Sequence, residues 1–350
     1  MYRERLGDSI YVQAIQFLQE KHYDFGKFSK ENILGTSGVS GGVISAIMML
    51  KEKLNSRPGP VKIGLFNPFY VYHREIATGV FGTNVEFVYL DVNEDMSFDF
   101  QIIRENACHL DMIMFTNPGN PSTHVMTKEE VDKFVLVAQE FKHCYVISDE
   151  VYSDMIQPGF KHTSFHSPIP ENIIVLRGFS KCMAVGSWRL GYALGHQDTI
   201  ANLARSHDRV FICANWTQMA VGYYIMNQYE DYVQYLYNIN LTMVKNYQMI
   251  NNSILEMGWS ILPPQGSMYL LCKHNCDDDL KAMVLLIKKG LVAVPGYMFM
   301  SDPLKQYNTG YLRFHVAYSL VKGQLVSDRL VGEAAIVLSG HPELSMNNWE

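Results

Sequence analysis

The chain has 350 residues, of which 48% are hydrophobic and 18% charged, and its formal net charge is −6. This globular composition has room for a large domain and a smaller one, and it excludes the disordered class. No run of Lys or Arg suggests a nucleic-acid surface, and no apolar stretch approaches the roughly 18 residues of a membrane span. We therefore expect neither nucleic acid nor a membrane as a partner.

Six cysteines are present, and no apolar leader follows the first residues. Cys272 and Cys276 lie four residues apart with His274 between them, but no second pair at zinc-like spacing accompanies them, so we predict no metal site. Cysteines in apolar runs usually act as small buried hydrophobes. We therefore expect a reduced, cytoplasmic protein. The six are Cys108, Cys144, Cys182, Cys213, Cys272 and Cys276.

Short apolar runs alternate with helical patterns along the first part of the chain. Apolar residues at helical spacing predict a helix over 128–141, with Thr127 and Glu130 forming a capping box at its start. Buried-type strands that alternate with helices are typical of a mainly parallel sheet covered on both faces. The sequence therefore predicts an α/β, doubly wound domain. The runs that predict its strands are 61–66, 85–90, 112–116, 144–148 and 173–176.

The pattern changes after about residue 230. A long helix is predicted over 232–257, and a second helix near 278–289. Strand-like runs occur at 259–262, at 267–272 and near 311–317. We predict a large domain over residues 1–230 and a smaller α+β domain over residues 231–350.

The most informative segment follows the strand predicted at 173–176. Lys181 emerges just after that strand, at the carboxyl edge of the sheet, where open α/β sheets bind ligands. A lysine desolvated beside a cation has a lowered pKa and can form a Schiff base. Arg189, eight residues later, offers a planar fork suited to phosphate. Taken alone, Ser180-Lys181 is no signal of chemistry and favours a surface lysine with a structural arginine.

Three other segments add chemistry to this one. Asn120 lies in the proline-rich loop after the strand at 112–116, and its amide can donate to a ring oxygen. Asp149 ends the next strand, where a buried carboxylate needs a partner such as a pyridinium N–H, or else caps the following turn. Gly38, in a glycine-rich turn, precedes the helical pattern at 43–53, and backbone N–H groups at such a helix start bind phosphate.

Taken in chain order, the segments resemble the class I and II aminotransferases among the fold-type-I pyridoxal-phosphate enzymes. The resemblance is carried by the Asn-Pro-Gly-Asn-Pro-Ser loop at 117–122, the Asp-Glu-Val-Tyr strand end at 149–152, and Ser180-Lys181 with Arg189. It extends over nearly the whole chain. The implied cofactor is pyridoxal 5'-phosphate, and the implied reaction moves an amino group between an α-amino acid and a 2-keto acid.

The resemblance implies a role for each matching residue. Lys181 would hold the cofactor as a Schiff base and act as general base, and Asp149 would pair with the pyridine nitrogen. Tyr152 and Asn120 would donate to the phenolic oxygen of the ring. The remaining implied contacts are Tyr70 stacked on the ring, Arg313 and Asn120 on the substrate α-carboxylate, and Gly38, Val39, Ser40, Ser180, Arg189 and Tyr2 on the phosphate.

Tyr2 resembles a family tyrosine that reaches the phosphate bound by the other subunit. The resemblance therefore implies a homodimer whose active sites are shared between subunits, since two-fold symmetry makes such a contact reciprocal. A helical pattern at 10–18 follows Tyr2.

Two alternatives remain at this point. A C–S lyase or an elimination-type synthase would use the same lysine, aspartate and ring contacts. A truncated homologue with a non-catalytic binding role is the second alternative, because the chain has Gly178 where the family has Ser, Thr123 where it has Gly, and begins several tens of residues later. The substrate side chain stays open, since no second arginine can be assigned to a distal carboxylate.

Overall fold

The computed structural model describes residues 5–55, 57–212, 215–301 and 308–316. Within these ranges the chain forms the predicted α/β fold, with a seven-stranded and a four-stranded sheet. The strands are β1 (Ile33–Ser37), β2 (Val61–Asn67), β3 (Val85–Asp91), β4 (Met112–Thr116), β5 (Tyr145–Asp149), β6 (Ile173–Gly178), β7 (Leu190–Gly195), β8 (Ser260–Ile261), β9 (Tyr269–Lys273), β10 (Val294–Pro295) and β11 (Tyr311–His315). The α-helices are α1 (Ser9–Phe17), α2 (Gly38–Leu54), α3 (Val71–Phe81), α4 (Phe100–Ala107), α5 (Lys128–Glu140), α6 (Gln197–Phe211), α7 (Thr217–Asn227), α8 (Tyr229–Leu255) and α9 (Asp279–Lys288).

The large sheet is mainly parallel, as predicted. Its strand order is β1-β7-β6-β5-β4-β2-β3, and only β7 runs antiparallel to its neighbours β6 and β1 among these described strands. Alternate residues of its central strands enter different cores, because successive side chains point to opposite faces. Ile113 and Val146 pack in one apolar cluster, and Met114 and Ile147 pack in another. Burial on both faces explains why these strands read as continuous apolar runs.

The register of this sheet brings several chain segments to one edge. Thr116 pairs with Asp149, so β4 and β5 end side by side. Gly178 at the end of β6 lies opposite Gly191, and Ser37 at the end of β1 lies opposite Leu190. The loop after β4, the end of β5, the Lys181 segment and the start of α2 therefore all leave the sheet at the same edge.

The second sheet has the strand order β10-β11-β9-β8 and is antiparallel. Its apolar face packs against the carboxyl-terminal half of α8 and against α9, in a cluster that includes Leu270, Phe314, Ile250 and Leu286. This part is α+β, as predicted. Helix α8 contributes to two cores, since Tyr232 packs with the large sheet, so the boundary at residues 230 and 231 stays a prediction. No helix of the described ranges combines the length and apolarity needed to cross a bilayer.

The capping box predicted at the start of α5 is present. Glu130 N donates to Thr127 Oγ1 (3.2 Å), and Thr127 N donates to Glu130 Oε2 (2.8 Å). We expect Thr127→Ala to lower the free energy of unfolding by about 1 kcal/mol in urea denaturation, because the amide of Glu130 loses its acceptor. Lys128→Ala, one residue later on an exposed position, is the control. Equal stability of the two variants would remove the role assigned to the cap.

Candidate active site

Asp149 lies at the carboxyl end of β5 and is almost fully buried. Its Oδ2 is 3.2 Å from Nε2 of His73, and its Oδ1 accepts from Val151 N at 3.2 Å. The carboxylate therefore caps the next turn and also has a buried imidazole partner. His73 was not predicted from the sequence. The sequence offers only an i,i+3 relation, which is too weak to assign it: His73 follows Tyr70, the residue before α3, by three positions, and the two rings lie 5.2 Å apart.

Four buried or half-buried side chains form a closed ring of contacts beside this carboxylate. Asn120 Nδ2 donates to the Tyr152 hydroxyl at 3.4 Å, and Tyr152 donates to the Tyr269 hydroxyl at 3.3 Å. Arg313 Nη1 donates to Asn120 Oδ1 at 2.8 Å, and its guanidinium carbon lies 4.1 Å from the centre of the Tyr269 ring. Burial, and then the neighbouring Tyr269 phenol, raise the pKa of Tyr152 well above its usual value. Three members of this ring were predicted, and Tyr269 was not.

Lys181 lies in the turn after β6 and lines an open cavity of about 480 Å³. Met155, Ile239 and Met243 supply much of its apolar wall, and Ser180 also borders it. In the part of the chain that the structure describes, Lys181 forms no ion pair with a carboxylate.

The positive charge of Lys181 affects the pKa of His315 on the second sheet. Burial lowers the pKa of His315 to about 4, and the charges of Arg313 and Lys181 add to that effect. Arg313 and His315, both on β11, therefore lie within electrostatic range of each other, and Lys181 lies within range of His315.

The turn before α2 and the segment before β7 form a cradle. Gly38 begins α2 with a φ of +67°, and a Cβ placed on it would lie 2.5 Å from Nη2 of Arg189. A Cβ on Gly191 would lie 2.6 Å from the carbonyl carbon of Gly38 and 2.8 Å from Val39 N. Only glycines at both positions allow this approach. A helix N-terminus with a guanidinium beside it fits a phosphate group.

The other predicted site residues are distributed as follows. Ser40 lies in the first turn of α2. Tyr70 is half-buried next to His73, and burial together with the charge of Asp149 raises its pKa. Ser180 lies with Lys181 on the cavity wall; a contact between Ser180 and the phosphate cradle stays a prediction. Tyr2 lies outside the described residues.

His207 supports the cradle and was also missed by the sequence analysis. It lies on α6 and is buried, and its Nε2 accepts from Ser37 N at 3.1 Å. The contact fixes the end of β1 immediately before the Gly38 turn. It spans 170 positions of the chain, so no local sequence pattern indicates it.

Two histidines with lowered pKa values, the buried His207 and the half-buried His315, make stability depend on pH. Burial lowers the pKa of His207 to about 4, like that of His315, from the ordinary 6.5. The unfolded chain binds these protons near pH 6.5 and the folded chain only near pH 4, so the unfolded state binds more protons in between. The free energy of unfolding should therefore fall as the pH is lowered from about 6.5 to 4.

We expect His207→Gln to make that fall shallower, by at most about 1.4 kcal/mol per pH unit, the contribution of one proton. Urea denaturation of the apoprotein at several pH values measures the slope, and the exposed His143→Gln serves as control. An unchanged slope in His207→Gln would contradict the assignment.

Residues 9–320 match the family described as aminotransferase class I and II. The chain is 25% identical over 312 residues to an aspartate aminotransferase of Sulfolobus acidocaldarius, and the match covers 86% of this chain and 74% of that protein. Its fold is similar to YbdL of Escherichia coli, whose structure and reactivity identified a methionine aminotransferase function (TM-score 0.80, 19% identity, 95% and 84% of the two chains). It is also similar to a single mutant of aspartate aminotransferase from Thermus thermophilus (TM-score 0.78, 19% identity, 97% and 83%).

Proposed function

The chain belongs to the class I and II aminotransferases, and on that premise we propose that it transfers an amino group between an α-amino acid and a 2-keto acid on pyridoxal phosphate held by Lys181. The family implies this cofactor. The observation that carries the assignment of the site is that Asp149, Lys181 and the Gly38–Arg189 cradle leave the sheet at one edge. Elimination or a purely binding role is not favoured, because the similar proteins are aminotransferases.

The chemistry that the cofactor supplies when bound is an aldehyde carbon open to a lysine amine and a ring that accepts electrons. Its phosphate fits the cradle formed by the start of α2 and Arg189, where Gly38, Val39 and Ser40 present backbone N–H groups. We assign Ser180 a further phosphate contact because it is next to Lys181.

Lys181 is proposed to have two roles. Its Nζ would hold the cofactor and, once a substrate amine has displaced it, would carry the proton from the Cα of the donor to the carbon that it had held. In the second half-reaction it would carry a proton from that carbon to the Cα formed from the keto acceptor. The lack of a carboxylate partner for this amine in the described ranges supports the proposal, since an ion-paired lysine would be a poor nucleophile.

Asp149 is proposed to keep a proton on the ring nitrogen. The burial of this carboxylate favours a cationic partner, and the contacts of His73 with Oδ2 and of Val151 N with Oδ1 hold the side chain in place. Tyr152 and Asn120 are proposed to donate to the phenolic oxygen, and their mutual contact at 3.4 Å supports a common target. Tyr70, beside His73, is proposed to stack on the ring.

Arg313 is proposed to bind the substrate α-carboxylate, with Asn120 holding its guanidinium. We expect Arg313→Lys to raise the KM for amino acids by about 10- to 150-fold, because an ammonium cannot reproduce a two-point contact with a carboxylate. The KM for simple primary amines should change much less. The exposed Arg104→Lys is the matched control. Equal increases for amino acids and simple amines would remove this role.

An exposed apolar stripe supports the proposal that the active unit is a homodimer. Trp216, Met219, Tyr223 and Met226 follow one another at helical spacing on or next to α7, and their exposures are 66%, 38%, 56% and 39%. The stripe adjoins the Arg189 segment, because Asn215 Nδ2 donates to Trp188 O at 2.8 Å. A second copy on this face would therefore lie next to the phosphate cradle, where Tyr2 of that copy is proposed to reach the phosphate.

Light scattering at micromolar concentration tests the dimer. Replacing Trp216 and Tyr223 with glutamate should yield monomers with reduced cofactor retention, whereas Leu136→Glu, an exposed apolar residue on α5, should leave the dimer intact. A wild-type monomer with full activity would contradict shared sites.

We further propose a cytoplasmic location, because none of the five described cysteines is in a disulfide.

A panel of amino donors and keto acceptors, read beside the visible spectrum of the purified protein, tests the function. We expect a yellow protein that exchanges amino groups with a subset of the panel. Release of ammonia and a keto acid from a single amino acid would favour elimination instead.

A further inference from the structure

Tyr269 is buried at the start of β9, on the second sheet, and makes two separate contacts within the candidate site. Its hydroxyl oxygen accepts from Tyr152 at 3.3 Å. Its ring face lies 4.1 Å from the guanidinium carbon of Arg313, and the Phe299 ring lies 4.4 Å from that same carbon. The guanidinium therefore lies over two aromatic rings, and one of those rings carries a hydroxyl that contacts Tyr152, in the turn after β5.

We propose that Tyr269 is a positioning residue that couples the cofactor side of the site to the substrate side. The inference rests on the proposed function, in which Tyr152 donates to the phenolic oxygen and Arg313 binds the substrate carboxylate. Tyr269 contacts both of these residues, and Asn120 contacts both from the other side, so the four side chains close a ring. A shift of the guanidinium toward a carboxylate is thereby transmitted to the hydroxyl of Tyr152.

In the observed direction the contact raises the pKa of Tyr152, and it would strengthen Tyr152 as a donor only once that direction is reversed. A phenol can donate only one hydrogen bond, and in the proposed function Tyr152 donates it to the phenolic oxygen of the cofactor. The Tyr269 hydroxyl then turns to donate to the oxygen of Tyr152, which increases the acidity of the Tyr152 proton through hydrogen-bond cooperativity. The ring contact is independent of this, because a cation over an aromatic face needs the ring and not the hydroxyl.

Two substitutions separate the contacts. Tyr269→Phe keeps the ring under Arg313 and removes the hydroxyl, while Tyr269→Leu removes both. With the holoenzyme, the first readout is the pH midpoint of the cofactor's visible absorbance change. The second is the affinity for a non-reacting carboxylate, 3-phenylpropionate, measured by calorimetry. Neither readout depends on turnover.

We expect Tyr269→Phe to move the absorbance midpoint up by about half to one pH unit, since a weaker donor stabilises the phenolate less. Its carboxylate affinity should stay within about 2-fold. Tyr269→Leu should show the same shift and bind the carboxylate about 2- to 30-fold more weakly. The other charged or titratable groups that face the pair are Tyr70, Asp149, Lys181, Arg313 and His315, and neither variant alters them.

Tyr232→Phe is the matched control, because this phenol is also fully buried and donates its hydrogen bond to Asp154 (3.3 Å), outside the ring of contacts. It should leave both readouts unchanged. An unmoved midpoint in Tyr269→Phe, or equal losses of carboxylate affinity in the two Tyr269 variants, would overturn the coupling. Absence of cofactor absorbance in the wild type would instead refute the proposed function, so the two failures are distinguishable.

Discussion

Replacing Lys181 with alanine is expected to lower the rate of amino transfer by at least about 10²–10⁴-fold, the usual contribution of a positioned general base. The variant should also lose the covalent link to the cofactor, so borohydride reduction should no longer fix the cofactor to the peptide that contains residue 181. The reason is chemical, because no other group proposed at this edge is an amine that can serve as both anchor and base.

Two comparisons make this test specific. Lys142→Ala removes an exposed lysine just before β5, at the opposite edge of the sheet, and should retain activity and borohydride fixation. In the wild type, mass spectrometry should find the reduced cofactor on the Lys181 peptide. Full turnover by Lys181→Ala with an unchanged spectrum would refute the mechanism.

The second large effect is expected at Asp149. Asp149→Ala removes the charge that keeps the ring nitrogen protonated, and should lower the rate by about 10²–10³-fold, as removal of one preorganised electrostatic contact does. Asp149→Asn should be nearly as inactive, since it restores a hydrogen-bonding side chain to His73 but not the negative charge. Thermal unfolding should show that both variants fold. Activity near that of the wild type would mean that this carboxylate only caps the turn at Val151.

The sequence was most informative for the strands of the parallel part of the large sheet, most of which are buried on both faces. The runs that became β2 to β6 were predicted within two residues of their observed ends, because a continuous apolar run bounded by turns has few other solutions in a chain of this composition. Helix α5 was predicted from its cap as well as its period. The antiparallel placement of β7 between β6 and β1 was not predicted, since it depends on pairings across more than 150 positions.

The residues of the candidate site also fall into those that the sequence could predict and those that it could not. Motif residues at strand ends, such as Asp149 and Lys181, could be assigned because the carboxyl edge of a parallel sheet is a shared location. Their supporting partners could not. His73 lies on a helix with only an i,i+3 relation to Tyr70, and Tyr269 and His207 reach the site from elements distant in sequence. Such contacts depend on how the elements pack, which a local pattern does not contain.

The most direct test of the central claim is the transfer of a labelled amino group. The purified protein, loaded with pyridoxal phosphate, is incubated with a ¹⁵N-labelled amino acid and an unlabelled 2-keto acid that has a different side chain, chosen from the active donor and acceptor pairs. We predict that the amino acid formed from the acceptor carries the label, that the donor becomes its keto acid in equal amount, and that Lys181→Ala abolishes both. Label recovered as free ammonium, with no labelled product amino acid, would contradict transamination.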